Sequence, residues 1–236
     1  MARGLRIGSV ELGVRPCVAV PFADRTARAE VVALASRGLD VAEIRVDHFA
    51  RFDSAHVLAQ LDVFAGVPVL ATIRSAAEGG GWRGTEAERL ALFRALIPRV
   101  DAVDVEIASE IARDVVTAAR GAGKLAIASF HDFARTPGDA ALADVVARGR
   151  ALGADVVKIA TAVATPADLR ALARLLVGTD DIGLIAIGMG DRALATRLLF
   201  PALGSLLTYA HAGAATAPGQ IPLDEMHSLL RRLFPA

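Results

Sequence analysis

Cysteine is nearly absent: Cys17 is the one cysteine in 236 residues. This excludes an internal disulfide framework and a cysteine-rich metal site. Net charge is absent too, with 26 Lys and Arg against 26 Asp and Glu. No basic field points to nucleic acid and no acidic tail points to disorder. The opening MARGLRIGSVELGVR carries arginines but no apolar core, so it is not read as a signal peptide. Leu198 to Leu223 lacks Asp, Glu, Lys and Arg, but Pro201, Gly204, His211, Pro218 and Gln220 interrupt it. It reads as helix end, strand and loop rather than a membrane span. There is no HExxH, no HxH and no Cys/His pairing, so no metal is expected. The glycines of EGGGWRG, Glu78 to Gly84, are not followed by the GK[ST] of a phosphate loop. With no linker and no low-complexity tract, one domain over residues 1–236 is expected, in the cytoplasm.

Lysine is the most informative scarcity. The 26 basic residues are 24 arginines and two lysines, Lys124 and Lys158. A chain this biased to arginine keeps lysine where a guanidinium will not serve. Lys124, in GAGKLAI, falls at a helix-to-strand turn, where a solvated side chain is ordinary. Lys158, in DVVKIAT, interrupts an apolar strand.

What is present is alternation. Hydrophobic residues make up 54% of the chain, enough for a large core. Eight β-rich runs are PCVAVPF, AEIRVD, PVLATIR, AVDVEI, LAIASFH, DVVKIA, GLIAIGM and SLLTYA. Helical patterns such as TEAERLALFRALIPRV and TPADLRALARLLVG lie between them. Eight βα units in this length predict a (β/α)8 TIM barrel, with residues 4–15 as a hairpin closing one end.

Residues two apart in a strand share a face. Glu43, Arg45 and Asp47 therefore share one, as do Thr72 and Arg74, Asp104 and Glu106, and Ser129 and His131; Lys158 lies on the face of Val156 and Ala160. Five consecutive strands thus send polar groups to one interior, where isolated charge is costly. The expected occupant is small, polar and anionic, given Arg45 and Arg74. Two states of Lys158 stay open. Burial can depress its pKa and free an amine that attacks a carbonyl to form a Schiff base, or Asp104 or Glu106 can hold it charged. His131, at a strand end one βα unit away, is suited to moving protons, and Glu78 is a candidate to orient it. The loop carrying Glu78 reads as a mobile active-site loop or a plain surface loop.

These residues also carry a resemblance. EIRVDHF, TIRSAAEGG, DVE, SFHDFARTP, ADVVKIA and the closing pair TRLLFPALGSLLTYA and APGQI follow, in order, the motifs of type I 3-dehydroquinate dehydratases, the Schiff-base enzymes of the shikimate pathway. The resemblance implies an imine between Lys158 and the C3 ketone of 3-dehydroquinate, with His131 as acid and base and Glu78 orienting it. It implies that Glu43, Arg45, Arg74 and Gln220 hold substrate hydroxyls, that Arg197 holds the carboxylate, and that Thr216 stands where the family usually has Ser. It implies no cofactor, a small-molecule substrate as the partner, and a homodimer whose interface the sequence does not reveal. Two further departures are marked: Val20, where strand one often ends in Ser, and Ala193, where a glycine is expected. Another class I Schiff-base lyase or aldolase on the same barrel, or a non-catalytic ligand-binding regulator, are the other readings.

Overall fold

The structure, a computed structural model, describes residues 4–190, 192–213, 215, 217 and 219–235. It opens with an antiparallel pair, β1 (Arg6–Ile7) and β2 (Val10–Glu11). The turn between them rests on Gly8, whose φ of 55° is a left-handed conformation that side chains disfavour. Eight strands follow: β3 (Val18–Phe22), β4 (Val41–Arg45), β5 (Val69–Thr72), β6 (Ala102–Glu106), β7 (Leu125–Asp132), β8 (Val156–Ala162), β9 (Gly183–Met189) and β10 (Thr208–Tyr209). They form one parallel sheet in the order β10-β3-β4-β5-β6-β7-β8-β9. The sheet nearly closes, because Leu206 N donates to Leu184 O and Ala186 N to Ser205 Oγ across the β9–β10 seam. This is the predicted barrel, with every predicted strand in place.

Eight α-helices pack outside, among the described residues: α1 (Arg28–Ala35), α2 (Ser54–Leu61), α3 (Glu86–Leu96), α4 (Ala112–Gly121), α5 (Asp139–Leu152), α6 (Pro166–Val177), α7 (Leu194–Leu199) and α8 (Leu223–Leu233). Their starts are written locally. Thr85 with Glu88, and Thr165 with Asp168, form reciprocal capping boxes at α3 and α6, each cap worth about 1 kcal/mol.

Alternation along the strands divides the core. Ala42, Ile44, Ala71, Ile73, Val103 and Val105 face the helices in one apolar layer. Ala128, Val157, Ile159, Leu184 and Ala186 do the same on the other flank. The inward positions near the strand starts, Val41, Leu70, Ala102, Ile127 and Val156, make an apolar floor, and Ile7 and Leu12 of the hairpin pack into it from below. Each such side chain contributes roughly 1.5–3 kcal/mol through burial. The hairpin therefore plugs the N-terminal end of the barrel, as expected, and leaves the opposite end for chemistry.

One expectation about strand one is corrected. Val20 belongs to the outer apolar layer with Val18 and Phe22. It does not face the interior, so the marked departure at Val20 cannot alter a site there. By alternation the inward residue is Pro21, paired in register with Glu43.

Candidate active site

Above the apolar floor, Glu43 of β4, Asp104 of β6, Lys158 of β8 and Tyr209 of β10 form one layer, contributed by alternate strands as barrel interiors are built. Lys158 Nζ donates to Asp104 Oδ2 at 2.9 Å and to Glu43 Oε1 at 3.5 Å, and lies 4.6 Å from the centre of the Tyr209 ring. Thr72 Oγ1 donates to the same Glu43 oxygen at 2.9 Å. Lys158 is 5% exposed, so these contacts replace water almost completely.

Burial pulls the Lys158 ammonium toward neutrality, but Asp104 and Glu43 outweigh it and raise its pKa above the ordinary value. Of the two states left open by the sequence, the charged one describes the resting site, and Asp104 is the partner. Glu106, the other candidate, is engaged elsewhere: it accepts from Arg89 Nη1 at 2.8 Å and from Ser75 N at 2.7 Å. Asp104 is held ionised in turn. Burial alone would favour its neutral acid; Arg74 and Lys158 overcome that and push its pKa far below the carboxylate range.

Arg74 spends much of its guanidinium inside the barrel. Nη2 donates to Asp104 Oδ1 at 2.7 Å and Nη1 to Ser129 Oγ at 2.6 Å. Arg45, one layer higher, is forked onto Asp47 at 3.0 and 2.8 Å. The interior charges thus answer one another, as the cost of isolated buried charge requires.

His131 stands near the end of β7, in register with Ala160 and two residues above the Ser129–Lys158 pair. Its Nδ1 is 2.8 Å from Glu78 Oε2, and its backbone N donates to the same oxygen at 2.9 Å. With Glu78 ionised, Nδ1–H donates and Nε2 keeps its lone pair. Burial, then repulsion from Arg74 and Lys158, lowers the His131 pKa well below its ordinary value. The imidazole at rest is a neutral base. Burial pushes the Glu78 carboxyl up to about 7.

The loop carrying Glu78 is a packed turn that folds back on its own strand. Gly80 N donates to Ser75 O at 2.8 Å and Trp82 N to Arg74 O at 3.2 Å, and Trp82 is buried against Phe52. Glycine is required here by close approach: a Cβ on Gly80 would lie 2.1 Å from the Arg74 carbonyl oxygen. The glycines fold the loop back on its own strand and so aim Glu78 at His131.

Every predicted site residue among the described ones lines a single cavity of about 110 Å³: Lys158, His131 and Glu78, with Glu43, Arg45 and Arg74, and with Arg197 and Gln220 closing it from α7 and the loop before α8. Thr216 lies outside the described residues. Arg197 is 2% exposed, and burial lowers its pKa to about 10, which leaves it cationic at neutral pH. Ala193, where a glycine was expected, caps α7 with φ −91°, a conformation open to any residue, so its methyl strains nothing. The sequence reading missed Tyr209, Met189 and Phe133 as cavity walls. Tyr209 was legible in principle, since SLLTYA was already placed as a strand. Phe133, two residues beyond His131, stacks on its ring at 6.4 Å.

Comparison with known proteins bears on the family and the fold. The family model of type I 3-dehydroquinase matches residues 16–235. A 3-dehydroquinate dehydratase of Methanococcoides burtonii is 32% identical over 97% of this chain and 99% of its own. A solved 3-dehydroquinate dehydratase from Geobacillus kaustophilus superposes with a TM-score of 0.90 at 29% identity, covering 98% of this chain and 97% of that one. A type I 3-dehydroquinate dehydratase from Clostridium difficile, solved with covalently modified comenic acid, gives 0.89 at 28% identity over 99% of this chain and 98% of that one.

Proposed function

The chain belongs to the type I 3-dehydroquinase family, and on that premise we propose that it dehydrates 3-dehydroquinate to 3-dehydroshikimate through an imine on Lys158. The observation that carries this reading is the pairing of a buried lysine with a neutral, carboxylate-oriented histidine in one cavity.

The ammonium must lose a proton before it attacks. The His131–Glu78 pair is the acceptor, although in the resting site the carboxylates beside Lys158 hold its proton more firmly than His131 does. Positive charge on Lys158 helps to lower the His131 pKa, so His131 becomes a stronger base than it was once Lys158 is neutral. The amine adds to the C3 carbonyl carbon, the resulting carbinolamine loses its oxygen as water, and the protonated imine becomes an electron sink. His131 Nε2 then takes the C2 proton, and the electron pair moves into the imine to give an enamine. The C1 hydroxyl leaves as water with a proton from His131. Hydrolysis of the imine returns the lysine and releases the conjugated enone. Glu43, Arg45 and Gln220 hold substrate hydroxyls. Arg74 adds only the donors left over from Asp104, Ser129 and Glu106. Arg197 receives the carboxylate.

Turnover of 3-dehydroquinate, followed by the ultraviolet absorbance of the enone, tests the reaction itself; a purified chain that leaves 3-dehydroquinate untouched contradicts it. Two narrower outcomes follow. Arg197→Ala raises KM by roughly 10- to 100-fold with a smaller change in kcat, the loss of one charge-assisted contact. An unchanged KM removes Arg197 from the carboxylate role. For pH, protonated Glu78 loses the charge that fixes Nδ1–H as donor and stabilises the imidazolium, so kcat/KM falls as the pH drops through about 7, where Glu78 takes up its proton. In Glu78→Gln this acid limb disappears and turnover is lowered about tenfold or more. A limb that persists in that variant belongs to another group.

Among the described residues, no helix is long and apolar enough to cross a membrane. A cytoplasmic location and a homodimer are carried as part of the same family reading. Cell fractionation and sedimentation velocity test them.

A further inference from the structure

Of the three side chains in contact with Lys158 Nζ, two are carboxylates, Asp104 and Glu43, and the third is Tyr209. Tyr209 is 4% exposed and lines the cavity; beside the Lys158 ammonium, its hydroxyl makes no hydrogen bond of good geometry among the described residues. A buried polar group left unanswered costs stability, and one that borders a cavity is placed to be answered by what fills that cavity, water or ligand. The imine chemistry, on which this inference rests, says which atom. As Nζ bonds to the carbonyl carbon, the carbonyl oxygen is carried into the same neighbourhood and gains negative charge. Asp104 and Glu43 have only acceptor oxygens to offer and repel it. Tyr209 alone of the three can donate.

We propose that the Tyr209 hydroxyl donates a hydrogen bond to the substrate's C3 oxygen during attack by Lys158, and to the carbinolamine oxygen that follows. No bond to hydrogen is broken at Tyr209. The phenol stabilises charge on the oxygen, and the oxygen leaves as water with a proton from the His131 pair. Burial raises the Tyr209 pKa, so the phenol stays a neutral donor across the working range.

Tyr209→Phe keeps the ring beneath Nζ and deletes only the donor. Rapid mixing of each protein with 3-dehydroquinate, followed by a borohydride quench and intact-mass measurement, reads the build-up of imine. The variant is expected to build imine about tenfold more slowly than the wild type, the effect of one lost donor on a developing oxyanion. Its thermal midpoint is expected to be equal or higher, because an unanswered hydroxyl has been removed. Build-up within a factor of two of the wild-type rate overturns the proposal, whatever happens to stability. If the wild type itself traps no adduct, the imine reading has failed instead, and the two failures are told apart in one experiment.

Discussion

Replacing Lys158 with Met or Ala is expected to abolish turnover, by about 10⁴-fold or more, while leaving a folded barrel. No other side chain in the cavity offers a primary amine, and Lys124, the chain's second lysine, stands at the α4–β7 turn. The folded outcome follows from the way the layer is paired. Asp104 loses Nζ but keeps Arg74 at 2.7 Å and Ser129 at 2.6 Å; Glu43 keeps Thr72 at 2.9 Å. Breaking a buried ion pair typically costs about 3–5 kcal/mol when the surviving charge is stranded. Here it is not stranded, so the cost falls below that range. Met, which refills the volume, is expected to melt above Ala. Activity near wild type in either variant would end the Schiff-base account. An unfolded Met variant would show that the layer depends on the ammonium more than its remaining contacts indicate.

His131→Ala is expected to lower kcat by about 10²- to 10⁴-fold, the usual range for a general acid–base group. The two losses differ in kind. Without Lys158 there is no covalent intermediate. Without His131 the imine still forms, slowly, and accumulates, because the C2 proton has no positioned base. Single-turnover mixing with a borohydride quench therefore gives a trapped adduct in His131→Ala and none in Lys158→Ala. Normal turnover in His131→Ala would move the base to another group. Removing His131 also takes away Glu78's partner at 2.8 Å, leaving a buried carboxyl that burial already biases toward the neutral acid.

The barrel was legible because its signals are short-range. The longer strands repeat with period two, and several helices are started by local chemistry, such as the Thr85–Glu88 box. The shared interior of Glu43, Arg74, Asp104, His131 and Lys158 followed from that period alone. What alternation cannot supply is pairing across strands. It offered Asp104 and Glu106 as equal partners for Lys158, and only the stagger of the strands brings Asp104 to 2.9 Å and turns Glu106 to Arg89. The protonation state of Lys158 depends on that choice, so it too was open. The loop before Trp82 stayed open for a related reason. Glycine permits mobility and permits close approach, and the sequence does not say which is needed; at Gly80 the close approach to the Arg74 carbonyl needs it. Tyr209 was overlooked although SLLTYA was read as a strand, because the run carries no charged residue to mark which face points inward.

The central claim is the identity of the amine. Treating the protein with 3-dehydroquinate and borohydride, then digesting it and sequencing the labelled peptide by mass spectrometry, tests that claim most directly. The account predicts ligand mass on the peptide containing Lys158 and none on the peptide containing Lys124. Label on Lys124 alone, or turnover without any trapped adduct, would contradict it.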